Sequence, residues 1–229
     1  MSVFAIADLH LSFAPGIDKP MDIYGVRWYN HAERLEKNWM DMIKDDDTVI
    51  VAGDISWALK LEDAEYDLDW LDKLPGHKVL YKGNHDLWWN GITKLNNMYD
   101  NITFVQNDCF VAEGLVICGT RGWLTPDNDD FKESDEKIYR RELLRMQSSL
   151  SAGKKHLEAM CAADGKNDFL GESGRDSSMR DSEMIAVMHF PPVSKALAFS
   201  GFQQLFEDYG IRRVFYGHIH GEDGFKHVR

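Results

Sequence analysis

Short apolar runs that stop abruptly at a Gly, Asp, Asn or His constrain this chain more than any other feature. Val3 to Ala7 stops at Asp8, and Thr48 to Ala52 stops at Gly53-Asp54. Lys78 to Tyr81 stops just before Gly83-Asn84-His85-Asp86, Met184 to Met188 stops at His189, and Val214 to Tyr216 stops at Gly217-His218. Val111 to Gly119 alternates less cleanly and contains Gly114, which suggests a hairpin. Brief runs of β-branched and apolar residues bounded by turn formers read as buried strands. Between the early runs lie helical patterns. Trp28 to Ile43 repeats apolar residues at Leu35, Trp39 and Met42-Ile43, and Leu61 to Leu74 places Ala64, Leu68 and Leu71 on one face. Strand, helix and strand at this spacing predict right-handed βαβ units, hence an α/β fold with a partly parallel sheet.

The spacing also predicts a strongly charged helix over Asp127 to Met160, with Leu143-Leu144 and Leu150 on its apolar side. Residues 161–182 are rich in Gly, Ser, Asp and Lys and read as a flexible surface excursion. A chain of 229 residues suits a single domain over 1–229, with this excursion at 127–182.

Charge narrows the partners. Lys plus Arg is 26 and Asp plus Glu is 38, a formal charge of −12. Such a chain repels a polyanion at long range, which argues against nucleic acid as a partner. The three cysteines (Cys109, Cys118 and Cys161) show no CxxC spacing, so they imply reduced thiols rather than a disulfide framework or zinc knuckle. The first apolar run is too short for a signal peptide, and no stretch is long enough for a membrane span. A cytoplasmic protein without a membrane partner is expected.

Polar clusters follow the predicted strands: Asp8-Leu9-His10, Gly53-Asp54, Gly83-Asn84-His85-Asp86, Met188-His189 and Gly217-His218-Ile219-His220-Gly221. Ligands of open α/β sheets bind outside the carboxyl ends of the strands, so segments far apart in sequence can converge there. Alone, Asp-x-His and Gly-Asp are ordinary turn chemistry. Two histidines at i and i+2 between glycines are more telling, because both point one way and the backbone can approach closely. The set offers carboxylates, imidazoles and one amide oxygen but no thiolate. That donor mixture suits Mn²⁺, Fe²⁺ or Zn²⁺, and the clusters offer more candidate ligands than one open catalytic ion needs.

Taken in order, the string from Asp8 to His220 resembles the calcineurin-like metallophosphoesterase superfamily. The resemblance implies a four-layer α/β/β/α sandwich with mixed sheets. It implies two divalent metal ions bridged by Asp54. Asp8, His10 and His220 would complete one site, and Asn84, His189 and His218 the other. It implies a hydrolase that cleaves a phosphate mono- or diester with a metal-bound hydroxide, and it makes His85 the general acid at the leaving oxygen. A nuclease, or a scaffold that binds metal without catalysis, are the alternatives; the first is disfavoured by charge and the second because every ligand position is filled.

The sequence departs from the family in places. Three residues after Asp54, where related enzymes often carry an Asp or His that orients the catalytic histidine, stands Trp57. Gly53-Asp54 is not followed by an Asp-Arg pair, and Asp86 stands where a Glu would follow Gly-Asn-His. These features point to bacterial members rather than to the eukaryotic-type protein Ser/Thr phosphatases. Only Glu222 to Arg229 follow the last motif, so the second sheet is expected to be shortened at the C-terminus. Arg121 is a candidate for holding a phosphate oxygen, against the plainer role of a surface ion pair. Trp57, Trp88, Trp89 and Trp123 suit base stacking or core packing, the latter for at least two of them. Asp86 reads as a turn carboxylate, Asp45-Asp46-Asp47 as a solvated helix end, and His31, His77, His156 and His227 as residues outside the site.

Overall fold

The computed structural model describes residues 1–167, 183–194 and 198–220. The early runs become strands β1 (Val3–Ile6), β2 (Thr48–Ala52) and β3 (His77–Tyr81), with helix α1 (His31–Met42) after β1 and α2 (Leu61–Asp72) after β2. A short helix α3 (Ile92–Leu95) leads to β4 (Ile102–Phe104). These four strands form one wholly parallel sheet in the order β1-β2-β3-β4. A second sheet joins β5 (Cys109–Ala112), β6 (Leu115–Thr120), β7 (Glu183–Met188) and β8 (Val214–Tyr216) in sequence order. Its β5–β6 pair is the expected antiparallel hairpin, turning at Glu113-Gly114, and the remaining pairs are parallel. Helix α4 (Asp135–Asn167) precedes β7 and α5 (Gly201–Tyr209) precedes β8.

Strand alternation makes the layers. In β2, Val49 and Val51 face α1 and α2, beside Trp39, Ala64, Leu68 and Leu71. Ile50 and Ala52 face the other way and meet Val79, Tyr81, Ile117, Ile185 and Val187 between the sheets. On the far side, Val116, Cys118, Met184, Ala186 and Met188 pack under Met146 and Leu150 of α4 and under Phe202 and Phe206 of α5. Both sheets are therefore buried on both faces, which is why their strands read as continuous apolar runs. The result is the α/β/β/α sandwich.

Several boundaries differ from the sequence expectation. Helix α1 starts at His31 because Asn30 is left-handed, at φ 47°, and cannot propagate a right-handed helix. Helix α4 begins at Asp135 rather than near Asp127, since Pro126-Asp127-Asn128-Asp129-Asp130 favours turns over helix. Residues 161–167 of the expected excursion continue this helix, while 168–182 lie outside the described residues, as do 221–229. Helix α5 had a readable start signal in its capping box, in which Ser200 accepts from the Gln203 amide and Gln203 from that of Ser200.

Polar groups tie the layers together. The buried Lys78 ammonium donates to the carbonyls of Leu74 at 2.5 Å and Gly76 at 2.9 Å, closing the end of α2; burial pushes its pKa down to about 8. Between the sheets, the Tyr81 hydroxyl donates to the Ile117 carbonyl at 2.9 Å. Tyr81→Phe is expected to cost about 1 kcal/mol, the net worth of one buried hydrogen bond, measured as a shift in urea midpoint at constant slope.

Candidate metal centre

Every motif sits just beyond the carboxyl end of a strand. Asp8 and His10 follow β1, Asp54 follows β2, and Asn84, His85 and Asp86 follow β3; His189 follows β7, and His218 and His220 follow β8. The loops after β1 and β2 stay zipped past the sheet: Asp8 N donates to Gly53 O at 3.0 Å, and His10 N to Asp54 O at 2.9 Å. Asp8, His10, Asp54 and His218 all have positive φ, a strained choice for residues with side chains. The kink at each strand end turns these side chains toward a common point. The glycines beside them make room. A Cβ on Gly83 would lie 2.1 Å from the Asp54 Oδ1, and one on Gly217 would lie 2.5 Å from the Asp8 Oδ2.

Asp54 is at the middle. Its buried carboxylate has Oδ2 at 3.3 Å from His189 Nε2, 3.8 Å from His10 Nε2 and 4.0 Å from His85 Nε2. On one side Asp8 Oδ1 lies 2.8 Å from His220 Nε2, which is 3.1 Å from His10 Nε2. On the other, His189 Nε2 is 2.8 Å from Asn84 Oδ1. Among the described residues, the sets Asp8–His10–His220 and Asp8–Asp54–His189 each bring their ligand atoms within 4.8 Å of one another. The ring of His218 stands 5.2 Å from that of His189, and its backbone N–H donates to Asp8 Oδ2 at 2.9 Å.

Electrostatics fit a place for cations. Burial pushes His10 and His218 down to about 4, with neighbouring imidazoles adding to the effect, so both present neutral lone pairs at pH 7. Burial works to raise Asp54, but the hydrogen bond and charge of His189 hold it down at about 2. Burial likewise opposes a charged His189, yet Asp54 and Asp8 raise its pKa, as anions without a bound cation do. The Nδ1–H of His189 donates to the Ala52 carbonyl at 3.0 Å, which leaves Nε2 aimed at the centre. Two facing Nε2 atoms at 3.1 Å on His10 and His220, beside a carboxylate, are a geometry that a divalent ion satisfies. The residues present therefore fit divalent metal ions.

Asp86 is more than a turn carboxylate. It is fully buried, and its oxygens accept from the amides of Gly83 at 2.7 Å, Asp54 at 2.9 Å, Ile55 at 2.9 Å and Ser56 at 3.2 Å, and from Trp88 Nε1 at 3.2 Å. It clamps the β2 and β3 loops against each other, although burial and the Asp54 charge push its pKa up to about 6. Trp57, in the position without an orienting acid, stacks on His10 at 4.8 Å and lies 4.3 Å from the His85 ring. Trp28 adds a wall at 5.3 Å from His220, and His31 lies 3.1 Å from the Leu9 carbonyl. Neither is marked by its spacing in the sequence, because the turn at Trp28 and the first residue of α1 fold back over the site. Trp88 and Trp89 belong to the core.

The sequence matches the calcineurin-like phosphoesterase family over residues 1–222. The chain belongs to that family. Membership in the calcineurin-like phosphoesterases implies metal-dependent hydrolysis of phosphoesters, and the clustered aspartates and histidines are the residues that could hold the metal. A comparison with curated proteins finds no match. Among solved structures, the protein of unknown function AQ665 from Aquifex aeolicus aligns at 16% identity, over 94% of this chain and 89% of its own, with a TM-score of 0.43. No described helix of this family member is long and apolar enough to cross a membrane.

Proposed function

We propose that the chain hydrolyses a small phosphate mono- or diester at a dinuclear centre, with Mn, Fe or Zn as the ions. The observation that supports this most is the position of Asp54, whose Oδ2 faces His10 on one side and His189 on the other. In this reading Asp8, His10, Asp54 and His220 would hold one ion, and Asp54, Asn84, His189 and His218 would hold the other. When bound, such ions polarise phosphoryl oxygens and make a nucleophile available from water at neutral pH. The protein's own part is to hold the ester in line and to protonate its leaving oxygen. In this reading His85 supplies that proton, which its 42% exposed side chain and an Nε2 4.0 Å from Asp54 support. Trp57 and His10 pack its ring from behind, which fixes its orientation without a carboxylate partner. The charge of −12 favours a small substrate over a polyanion.

The test is turnover of p-nitrophenyl phosphate and bis-p-nitrophenyl phosphate by chelator-treated protein, with and without Mn²⁺. Metal-dependent release of nitrophenol is expected, and its absence from a metal-loaded protein would overturn the reading. His85→Ala is expected to lower kcat by about 10²–10⁴-fold. Metal content should stay at the wild-type value, since His85 holds no ion in this scheme. Loss of metal in that variant would reassign the histidine as a ligand.

A further inference from the structure

Beside the candidate centre, at the ends of β3 and β6, cations gather around one buried carboxylate. Glu142 of α4 is fully buried. Its Oε1 takes Arg145 Nη1 at 2.9 Å and Arg121 Nη2 at 3.2 Å, with Arg141 Nε at 3.5 Å, while its Oε2 accepts from Thr120 Oγ1 at 2.8 Å. Lys82, at the end of β3, donates to the Trp89 carbonyl at 3.2 Å and lies within electrostatic reach of Arg121 and Arg145. The other carboxylate within its reach is Asp86, whose oxygens are already taken up by N–H donors. Among the described residues, four cations thus gather about Glu142, with Asp86 within reach of Lys82 alone of them, in a chain whose formal charge is −12. Arg121 Nε is buried without a hydrogen-bond partner. Half-buried positive charge in excess of its partners is costly, and an incoming anion relieves that cost.

The fork is also built to be rigid. The Arg121 guanidinium lies over Trp123 at 4.6 Å, and its backbone carbonyl accepts from the amides of His189 at 3.1 Å and Phe190 at 2.9 Å. It is therefore fixed relative to the metal-site loop without being part of it. The Trp123 and Phe190 rings, 4.9 Å apart, lie in turn between it and His218, whose ring is 4.1 Å from Phe190. The reacting phosphoryl belongs with the ligand cluster, so this set-off fork suits a different group. We infer that Arg121, with Lys82 and Arg145, holds a second anionic group of the substrate, a phosphate or carboxylate carried on the same small molecule as the ester to be cleaved. The inference rests on the phosphoesterase reading for its substrate. It extends the phosphate-holding role for which the sequence made Arg121 a candidate; the ion pair weighed against that role is present too, with the buried Glu142.

The test uses the full chain, stripped of metal by a chelator, and inorganic pyrophosphate as the probe in calorimetry. The wild type is expected to bind it, and Arg121→Gln and Lys82→Gln are each expected to weaken binding roughly tenfold, the scale of one charge-assisted hydrogen bond. Glu142→Gln releases the guanidiniums from their carboxylate and is expected to tighten binding, an effect that mere destabilisation would not give. No binding by the wild type, or unchanged affinity in both cation variants, would overturn the proposal; so would weaker binding in Glu142→Gln. Turnover of p-nitrophenyl phosphate by the Mn²⁺-loaded wild type is measured alongside. If turnover is absent while pyrophosphate binding follows the pattern above, the phosphoesterase reading has failed and the anion site stands as a binding site.

Discussion

Asp54→Asn is expected to lower metal-dependent phosphoester hydrolysis by about a thousandfold or more, the scale of losing both an activated nucleophile and the charge that positions it. The carboxylate lies 3.3 Å from His189 and 3.8 Å from His10, so it faces both halves of the ligand set. An amide of the same shape keeps the packing but gives up the negative charge, and one of its ends turns from acceptor to donor. Metal analysis of the purified variant should fall from two ions toward one or none. Its urea midpoint in the presence of a chelator should stay close to that of the wild type, because the loss is of ligation and not of core. A variant that kept two ions and full turnover would remove Asp54 from the centre.

Asp86→Ala is expected to cost about 3–5 kcal/mol of stability, since it strips several buried N–H donors of their acceptor at once. The donors lie on both sides of the clamp, with Gly83 on the β3 loop and Asp54, Ile55 and Ser56 on the β2 loop. Without it the loops that carry Asp54 and Asn84 lose most of the hydrogen bonds between them and keep the one from the His85 amide to Asp54 Oδ1 at 2.8 Å. Metal affinity is therefore expected to fall by about 10–100-fold, as it does when groups that orient metal ligands are removed. Denaturant unfolding and metal titration check the two effects separately, with Leu87→Ala, at an exposed neighbouring position, as the control. A change in stability no larger than that of the control would show that the amides find other partners.

The strand ends were legible because the sequence marks them twice, by an apolar run and by the glycine or polar residue that ends it. The ligand candidates sit at those marks, and the resemblance to the metallophosphoesterases ordered them. What was not legible depends on tertiary approach. Asp86 draws amides from residues 30 to 32 positions away, so its spacing carries no trace of the clamp. Glu142 meets Arg121 across 21 positions and from a different element, so the sequence offered Arg121 as a phosphate holder or a surface pair without showing its buried partner. The strand Ile102–Phe104 is too short to show a period, and Trp28 reaches His220 from a loop whose pattern is only that of a helix start.

The span between Asp8 and His220, which meet at 2.8 Å across 212 positions, bears on how the protein matures. A chain emerging from the ribosome completes its first parallel sheet, and with it Asp8, His10, Asp54 and Asn84, by residue 104. Domains form as their segments become available, and contacts of high sequence separation form last. Nascent protein therefore carries a half-built cluster of carboxylate, imidazole and amide donors for most of its synthesis. In the proposed centre, metal capture at full affinity would wait for β7 and β8, the elements that deliver His189, His218 and His220. Under the proposed function, loading with ions would then report the completion of folding, and the supply of metal would act on the finished molecule.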